Sequence, residues 1–392
     1  MTRIKTIQSS SLRVQVGSAA NNGHTAKAPQ LNGQPLNGQQ VVSVAAAEEA
    51  GLRYVSPSSP GIARRRAGKG FYYVDAAGKR VRDETILKRI RTLVLPPAWE
   101  NVWICSDPRG HLQAVGNDAR GRKQYRYHDE FRRVREEAKY GRLLDFVRVL
   151  PKIRRRLRSD LKLPGMPREK VLAAVVQLLE STQIRVGNDE YARTNQSFGL
   201  TTLRNKHARV IGSRVMFQFR GKSGVQHAVD LHDKRLAKII RRCQDLPGEE
   251  LFTYIDEAGN PRDVGSADVN AYLREITGQD FTAKDFRTWA GTVLATEALR
   301  ETLADEESRR SETGRKKQIV AAIDQVAAQL RNTRAVCRKC YIHPAVIATY
   351  LDGSFEACLE CREVKVIRNT GGLKSYEVAV VALVRQFIKR AA

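Results

Sequence analysis

Cys337-x-x-Cys340 is followed after 17 residues by Cys358-x-x-Cys361, a spacing that matches four-thiolate zinc ribbons. The context between the pairs does not match. Pro344 to Leu351 reads as a helix carrying apolar Val346, Ile347 and Leu351, where a ribbon needs glycine-bearing knuckles. The alternative is small, partly buried thiols, and neither a metal ion nor another cofactor is expected. Gly221-Lys222-Ser223 invites comparison with a phosphate loop, but that motif needs a glycine at position 216, where Met216 stands. An ATPase is therefore not expected. Asp and Glu are dispersed along helical faces as solvated charges, so magnesium-dependent nuclease chemistry has no support either.

What remains for chemistry is tyrosine, lysine and arginine. Breaking a phosphodiester without metal or nucleotide requires a nucleophile, a proton donor for the leaving oxygen, and cations or donors around the phosphate oxygens. A tyrosine can attack, a lysine near the scissile bridge can protonate the departing alkoxide, and the planar, always charged guanidinium suits the oxygens. Taken singly, each such residue is most often a solvated surface group. The composition favours a use for them. Lys and Arg total 68 against 42 acidic residues, a formal charge of +26, which calls for a polyanionic partner. The basic residues lie along folded-looking segments, such as Lys152, Arg154, Arg155, Arg156 and Arg158, which fits nucleic acid better than a membrane surface.

The elements that must position these groups fall into an α+β arrangement. Residues 1–60, with scattered Gly, Asn, Gln, Ser and Ala, read as a disordered tail. Residues 61–128 alternate short apolar and aromatic runs, Phe71 to Val74, Val102 to Cys105 and Leu112 to Val115, with Gly, Pro and Asp, and read as a small β-rich domain. Residues 129–367 read as a mainly helical domain. It holds an apolar helix over Val171 to Leu179, a hairpin from Val215 to Val229 with Lys222 at its turn, and helices over Ala267–Leu273, Thr282–Leu303, Lys316–Leu330 and, around Pro344, Val336–Leu351. Residues 368–392 read as a C-terminal extension in which Tyr376 to Lys389 forms a short amphipathic helix.

Within that frame, Arg185 lies in Gln183-Ile-Arg-Val-Gly-Asn-Asp-Glu-Tyr191, just after the apolar helix; Lys222 is at the hairpin turn; Arg287 lies in Lys284-Asp-Phe-Arg-Thr-Trp289; and Tyr341 follows Cys337-Arg-Lys-Cys340. These segments, together with Thr201-Thr-Leu-Arg-Asn-Lys-His207 and Gly121-Arg-Lys-Gln-Tyr125 with Tyr127, resemble the poxvirus and bacterial type IB topoisomerase family over roughly residues 70–365. The resemblance implies that Tyr341 attacks the phosphodiester and forms a 3′-phosphotyrosyl bond, that Lys222 is the general acid with Arg185 sharing that role, and that Arg287 clamps the nonbridging oxygens. Asn332 stands nine residues before the tyrosine, where the viral enzymes have histidine; an amide donates there without charge. Tyr125, Tyr127 and Tyr191 are implied DNA contacts. The expected activity is relaxation of supercoiled duplex DNA, without ATP or metal, by a monomer.

A tyrosine recombinase is the nearest alternative, although its usual His-x-x-Arg box is Lys284-Asp-Phe-Arg287 here. A basic DNA-packaging protein is the non-enzymatic one. No segment approaches the roughly 20 apolar residues that cross a bilayer, and the polar N-terminus lacks a signal-peptide apolar region, so a cytoplasmic, nucleoid-associated protein is expected.

Overall fold

A computed structural model of the chain describes residues 30–31, 34–35, 38–68, 70–361 and 371–391. The chain divides into two compact units, residues 1–137 and 138–392. In the first, β1 (Gln30–Leu31) pairs antiparallel with β2 (Gln34–Pro35), and α1 spans Gly38–Glu49. Ala46 and Ala47 of α1 are buried with Phe131 and Val134. Helix thus stands where the sequence suggests a tail running to residue 60, because one small apolar face is enough to dock a helix that composition alone does not favour. The rest of that expected tail, residues 1–29, lies outside the described residues.

Strands β3 (Ile62–Ala67), β4 (Gly70–Val74), β5 (Glu100–Ile104), β6 (Leu112–Asn117) and β7 (Lys123–Tyr127) form an antiparallel sheet in the order β4-β3-β5-β6-β7. Ile62, Val102, Ile104 and Ala114 cover one face of this sheet with Ile90 of α2 (Glu84–Thr92). Asp83 caps α2, its carboxylate accepting from the Thr85 and Ile86 amides.

The second unit is mainly helical. Most of helix α3 (Asp129–Asp160) belongs to it, and α4 (Arg168–Thr182) is buried along nearly its whole length, as its apolar run requires. After α5 (Asp189–Asn195), strands β8 (Ala208–Ile211), β9 (Arg214–Arg220) and β10 (Gln226–His232) form a small antiparallel sheet. Val215, Phe217 and Phe219 alternate into the core while their neighbours face out. Helix α6 (Lys234–Gln244), the two-stranded β11 (Thr253–Ile255) and β12 (Pro261–Asp263), and α7 (Ser266–Thr277) lead to α8 (Ala283–Glu301). Helices α9 (Glu306–Arg310), α10 (Glu312–Leu330), α11 (Arg334–Cys340), α12 (Pro344–Leu351) and α13 (Phe355–Leu359) follow.

The final helix, Ser375–Ala391, is no appendage. Val378 and Val380 to Val384 are buried in the main core, so the apolar run closes the domain instead of extending it. A charged network fixes its start. Arg154 of α3 donates to both Glu377 oxygens at 2.8 and 2.6 Å and to Glu180 of α4 at 2.7 Å. Trp289 Nε1 of α8 donates to Glu377 Oε1 at 3.3 Å, and the Lys374 amide to Oε2 at 2.8 Å. Glu377 and Arg154 together therefore tie α3, α4 and α8 to the start of the final helix. Glu377→Ala would leave the Arg154 guanidinium buried with Glu180 as its remaining carboxylate and Gly372 O as a neutral acceptor, and we expect a loss of about 3 kcal/mol in unfolding free energy, measured by denaturant titration; a change indistinguishable from zero would show that the network does not hold the helix.

Candidate active site

Tyr341 sits in a break between two helices. The sequence reads as helical from Val336 to Leu351, but Pro344 has no amide to donate, so it can only start a new helix as the first residue of α12. The buried His343 side chain caps that helix, its Nδ1 accepting from the Ala345 amide at 3.0 Å. Upstream, the Thr333 hydroxyl accepts from Val336 N to cap α11, which ends when Tyr341 N donates to Cys337 O at 3.0 Å. Helix α8 supports the break directly. A Cβ on Gly291 would lie 2.7 Å from Tyr341 Cβ, so only glycine allows this approach. Thr292 Oγ1 donates to Tyr341 O at 3.2 Å and accepts from His343 N at 3.1 Å.

Arg287, only 6% exposed on α8, lies beside the phenol with its Cζ 5.1 Å from the Tyr341 ring centroid. Its Nη1 donates to Gln183 O and its Nη2 to Leu330 O at 2.9 Å. These carbonyls belong to the ends of α4 and α10, where Gln183 and Arg331 take left-handed backbone conformations with φ of 53° and 47°. Three helices thus converge on one guanidinium. Arg185, half-buried just beyond α4, feels the charges of Arg287, Tyr341 and Cys337; burial first and Arg287 second push its pKa down. Arg331 donates to Ala228 O at 2.7 Å, and burial and Arg287 lower its pKa too. Among the described residues no acidic side chain pairs with Arg185, Arg287 or Arg331. Asn332 follows directly, its Nδ2 buried without a partner, as is Arg287 Nε. Arg185, Arg287 and Tyr341 are therefore brought together, with Asn332 adjoining through Arg331.

Lys222 is exposed at the turn between β9 and β10, and none of the described hydrogen bonds or ion pairs holds its ammonium. The turn needs left-handed Ser223 and Gly224, with φ of 63° and 78°. Beneath it lies His227, 5% exposed, stacked on Phe219 at 4.6 Å, with neither ring nitrogen hydrogen-bonded. A Cβ on Gly221 would meet His227 Nε2 at 2.4 Å. Burial, then Arg331, Arg185 and Arg287, hold this imidazole at a pKa of about 4.

Tyr191, on α5 where Asn188 Oδ1 accepts its amide, is 44% exposed. In the first unit Tyr125 of β7 is 49% exposed and stacks on Tyr127 at 6.0 Å. Tyr127 leans instead on His111 and Phe131, so burial raises its phenol pKa. Cys337 is buried and Cys340 half-buried on α11; Cys358 is buried on α13 and Cys361 half-buried after it. Among the described residues no group of three or more His, Cys, Asp or Glu side chains is placed to hold a metal ion. Arg331, His227 and Gly291 escape a reading of sequence alone. Arg331 adjoins Asn332, which offers a signal, whereas nothing local marks the other two.

A family model for the catalytic core of eukaryotic DNA topoisomerase I matches residues 128–365, and one for the N-terminal domain of bacterial DNA topoisomerase IB matches residues 70–118. The chain is 35% identical over 298 residues to DNA topoisomerase 1B of Acanthamoeba polyphaga mimivirus, covering 74% of this chain and 87% of that protein. Against DNA topoisomerase 1B of vaccinia virus (strain Copenhagen) it is 28% identical over 165 residues, 41% of this chain and 51% of the relative.

The buried histidines give the site a pH signature. His227 and His343 both titrate near pH 4 in the folded chain, mainly through burial, against an ordinary value of 6.5. Below pH 6.5 the unfolded chain binds protons that the folded chain refuses, so stability falls as pH drops from 6.5 to about 4. Denaturant midpoints across that range should drop for the wild type and drop less for His227→Gln; parallel curves would refute this.

Proposed function

The chain belongs to the type IB DNA topoisomerase family, and from that membership we infer that Tyr341, Arg185, Lys222, Arg287 and Asn332 carry out its reaction on duplex DNA. It is an ATP-independent DNA topoisomerase that cuts one strand and reseals it through a phosphotyrosyl intermediate. The observation that carries the residue assignment is the Arg287 guanidinium at 5.1 Å from the Tyr341 ring, in a cluster of cations with no acidic partner among the described residues.

Tyr341 Oη forms a bond to the scissile phosphorus as the bond to the 5′ oxygen breaks, and Lys222 gives its proton to that leaving oxygen. An exposed lysine on a tight hairpin turn suits a role that begins only when DNA arrives. Arg287 and Arg185 face the nonbridging oxygens and stabilise the charge of the pentacoordinate transition state. Asn332 donates its unpaired Nδ2 to one of those oxygens. The ester conserves the free energy of the broken bond. The 5′ hydroxyl can therefore attack in reverse and restore the strand after it has swivelled.

Tyr125 and Tyr191, both well exposed, contact the duplex, and Tyr127 contributes through its stack with Tyr125. A single phenol suffices for each cut, which supports action as a monomer on DNA. Among the described residues no helix is long and apolar enough to cross a membrane. A cytoplasmic, nucleoid-associated location is the reading that fits a DNA substrate.

Relaxation of supercoiled plasmid in EDTA without ATP tests the assignment. We expect the wild type to relax the plasmid and to be trapped by detergent as a 3′-linked protein–DNA adduct, with both abolished in Tyr341→Phe. Persistence of the adduct in that variant would reject Tyr341 as nucleophile. A chain of net charge +26 should also bind duplex DNA with an affinity that falls steeply with salt, and a flat dependence in a filter-binding titration would contradict binding through phosphates.

A further inference from the structure

We propose that Lys139 of α3 is a positioning residue for strand cleavage, gripping the backbone beside Tyr341 so that its phenol is held in the attacking place. This rests on the assignment of Tyr341 as nucleophile.

Helix α11 ends at Cys340, and the last carbonyls of a helix have no intrahelical donor. Here α3 supplies donors to two of them in succession. Lys139 Nζ donates to Cys340 O, and the hydroxyl of Tyr140, a buried residue, donates to Lys339 O at 2.8 Å. Lysine side chains suit this position because they can bond the final carbonyls of a helix. The Lys139 ammonium also lies 4.7 Å from the Tyr140 ring centroid and 5.9 Å from that of Tyr341. Tyr140 in turn meets the His343 ring edge-on at 5.1 Å, on the far side of the break.

The next carbonyl along, Tyr341 O, is held from α8 by Thr292, and Gly291 lets α8 touch the same residue. Three consecutive carbonyls around the phenol are therefore fixed from two long helices. The segment itself is short and breaks helical hydrogen bonding, so little within it would otherwise fix the Tyr341 orientation. Without Lys139, Cys340 O loses its donor and the peptide before Tyr341 is free to turn. Arg287 would then face a phenol that is correctly placed only a small part of the time, which slows attack without weakening DNA binding.

The test is single-turnover adduct formation with excess enzyme on duplex DNA, comparing wild type, Lys139→Met and Lys139→Arg, with affinity measured separately in the Tyr341→Phe background. We expect Lys139→Met to slow adduct formation roughly 10- to 100-fold, the scale of a misplaced reacting group, at unchanged DNA affinity and melting temperature. Lys139→Arg, which keeps a cationic donor, should recover most of the rate. A wild-type rate in Lys139→Met, equal losses in Met and Arg, or a rate loss matched by lost affinity would overturn the inference. If Lys139→Met melts early, Tyr140→Phe tests the same grip by removing the hydroxyl that bonds Lys339 O. It should slow adduct formation at unchanged affinity, and a wild-type rate there would count against the proposal. Absence of adduct in the wild type would instead overturn the assignment of Tyr341, and this inference with it.

Discussion

Positive charge held without a counter-ion is the constraint on which the catalytic domain depends. Burying a guanidinium costs several kcal/mol unless it is well hydrogen-bonded, and placing others beside it adds repulsion. The fold accepts both at Arg287, Arg185 and Arg331. It offsets the first by aiming carbonyls at the guanidinium, Gln183 O and Leu330 O, which satisfy donors without cancelling charge. A carboxylate would be a better partner in the free protein and a competitor for the phosphate. Elsewhere the chain uses carboxylates freely, as in the Arg154, Glu180 and Glu377 network. Their absence from the described ion pairs of the site is what leaves its field available to a substrate anion.

That requirement explains why helix ends crowd this region. Carbonyls pointing away from a helix exist only at its C-terminus, so α4 and α10 must both stop beside Arg287, each through a left-handed residue. Helix α11 must also stop, at Tyr341, and Pro344 and His343 ensure that it does. Tyr341, proposed as the nucleophile, and the cations beside it thus depend on the same device, a helix that terminates at the site. The network around Glu377 holds α3, α4, α8 and the last helix in the register that this convergence needs.

Much of this was legible in the sequence because it is local. Alternation of Val215, Phe217 and Phe219 about a Gly-Lys-Ser-Gly turn specifies a hairpin with Lys222 at its tip, and the apolar run at Val171 specifies a buried helix. The Lys284 to Trp289 motif and the residues around Arg185 and Tyr341 identify the family by order. What stayed hidden depends on contacts between distant segments. Nothing near His227 says that it lies under Gly221 among arginines, and nothing near Gly291 says that Tyr341 presses on it. The C-terminal run reads as an extension because its burial comes entirely from helices far away in the chain. Residues 38–49 read as a tail because their docking face is small.

If uncompensated charge is the organising constraint, then removing a cation should relieve the free protein while crippling the reaction, the trade-off expected of a site built for its substrate. Arg185 is the best probe, since no described side-chain hydrogen bond depends on it. Melting temperature without DNA, measured for Arg185→Gln alongside its rate of adduct formation, tests this directly. The account predicts a variant at least as stable as the wild type and slower in adduct formation by about 100-fold or more, the range for losing a transition-state donor. A variant that is less stable yet forms the adduct at the wild-type rate would contradict it.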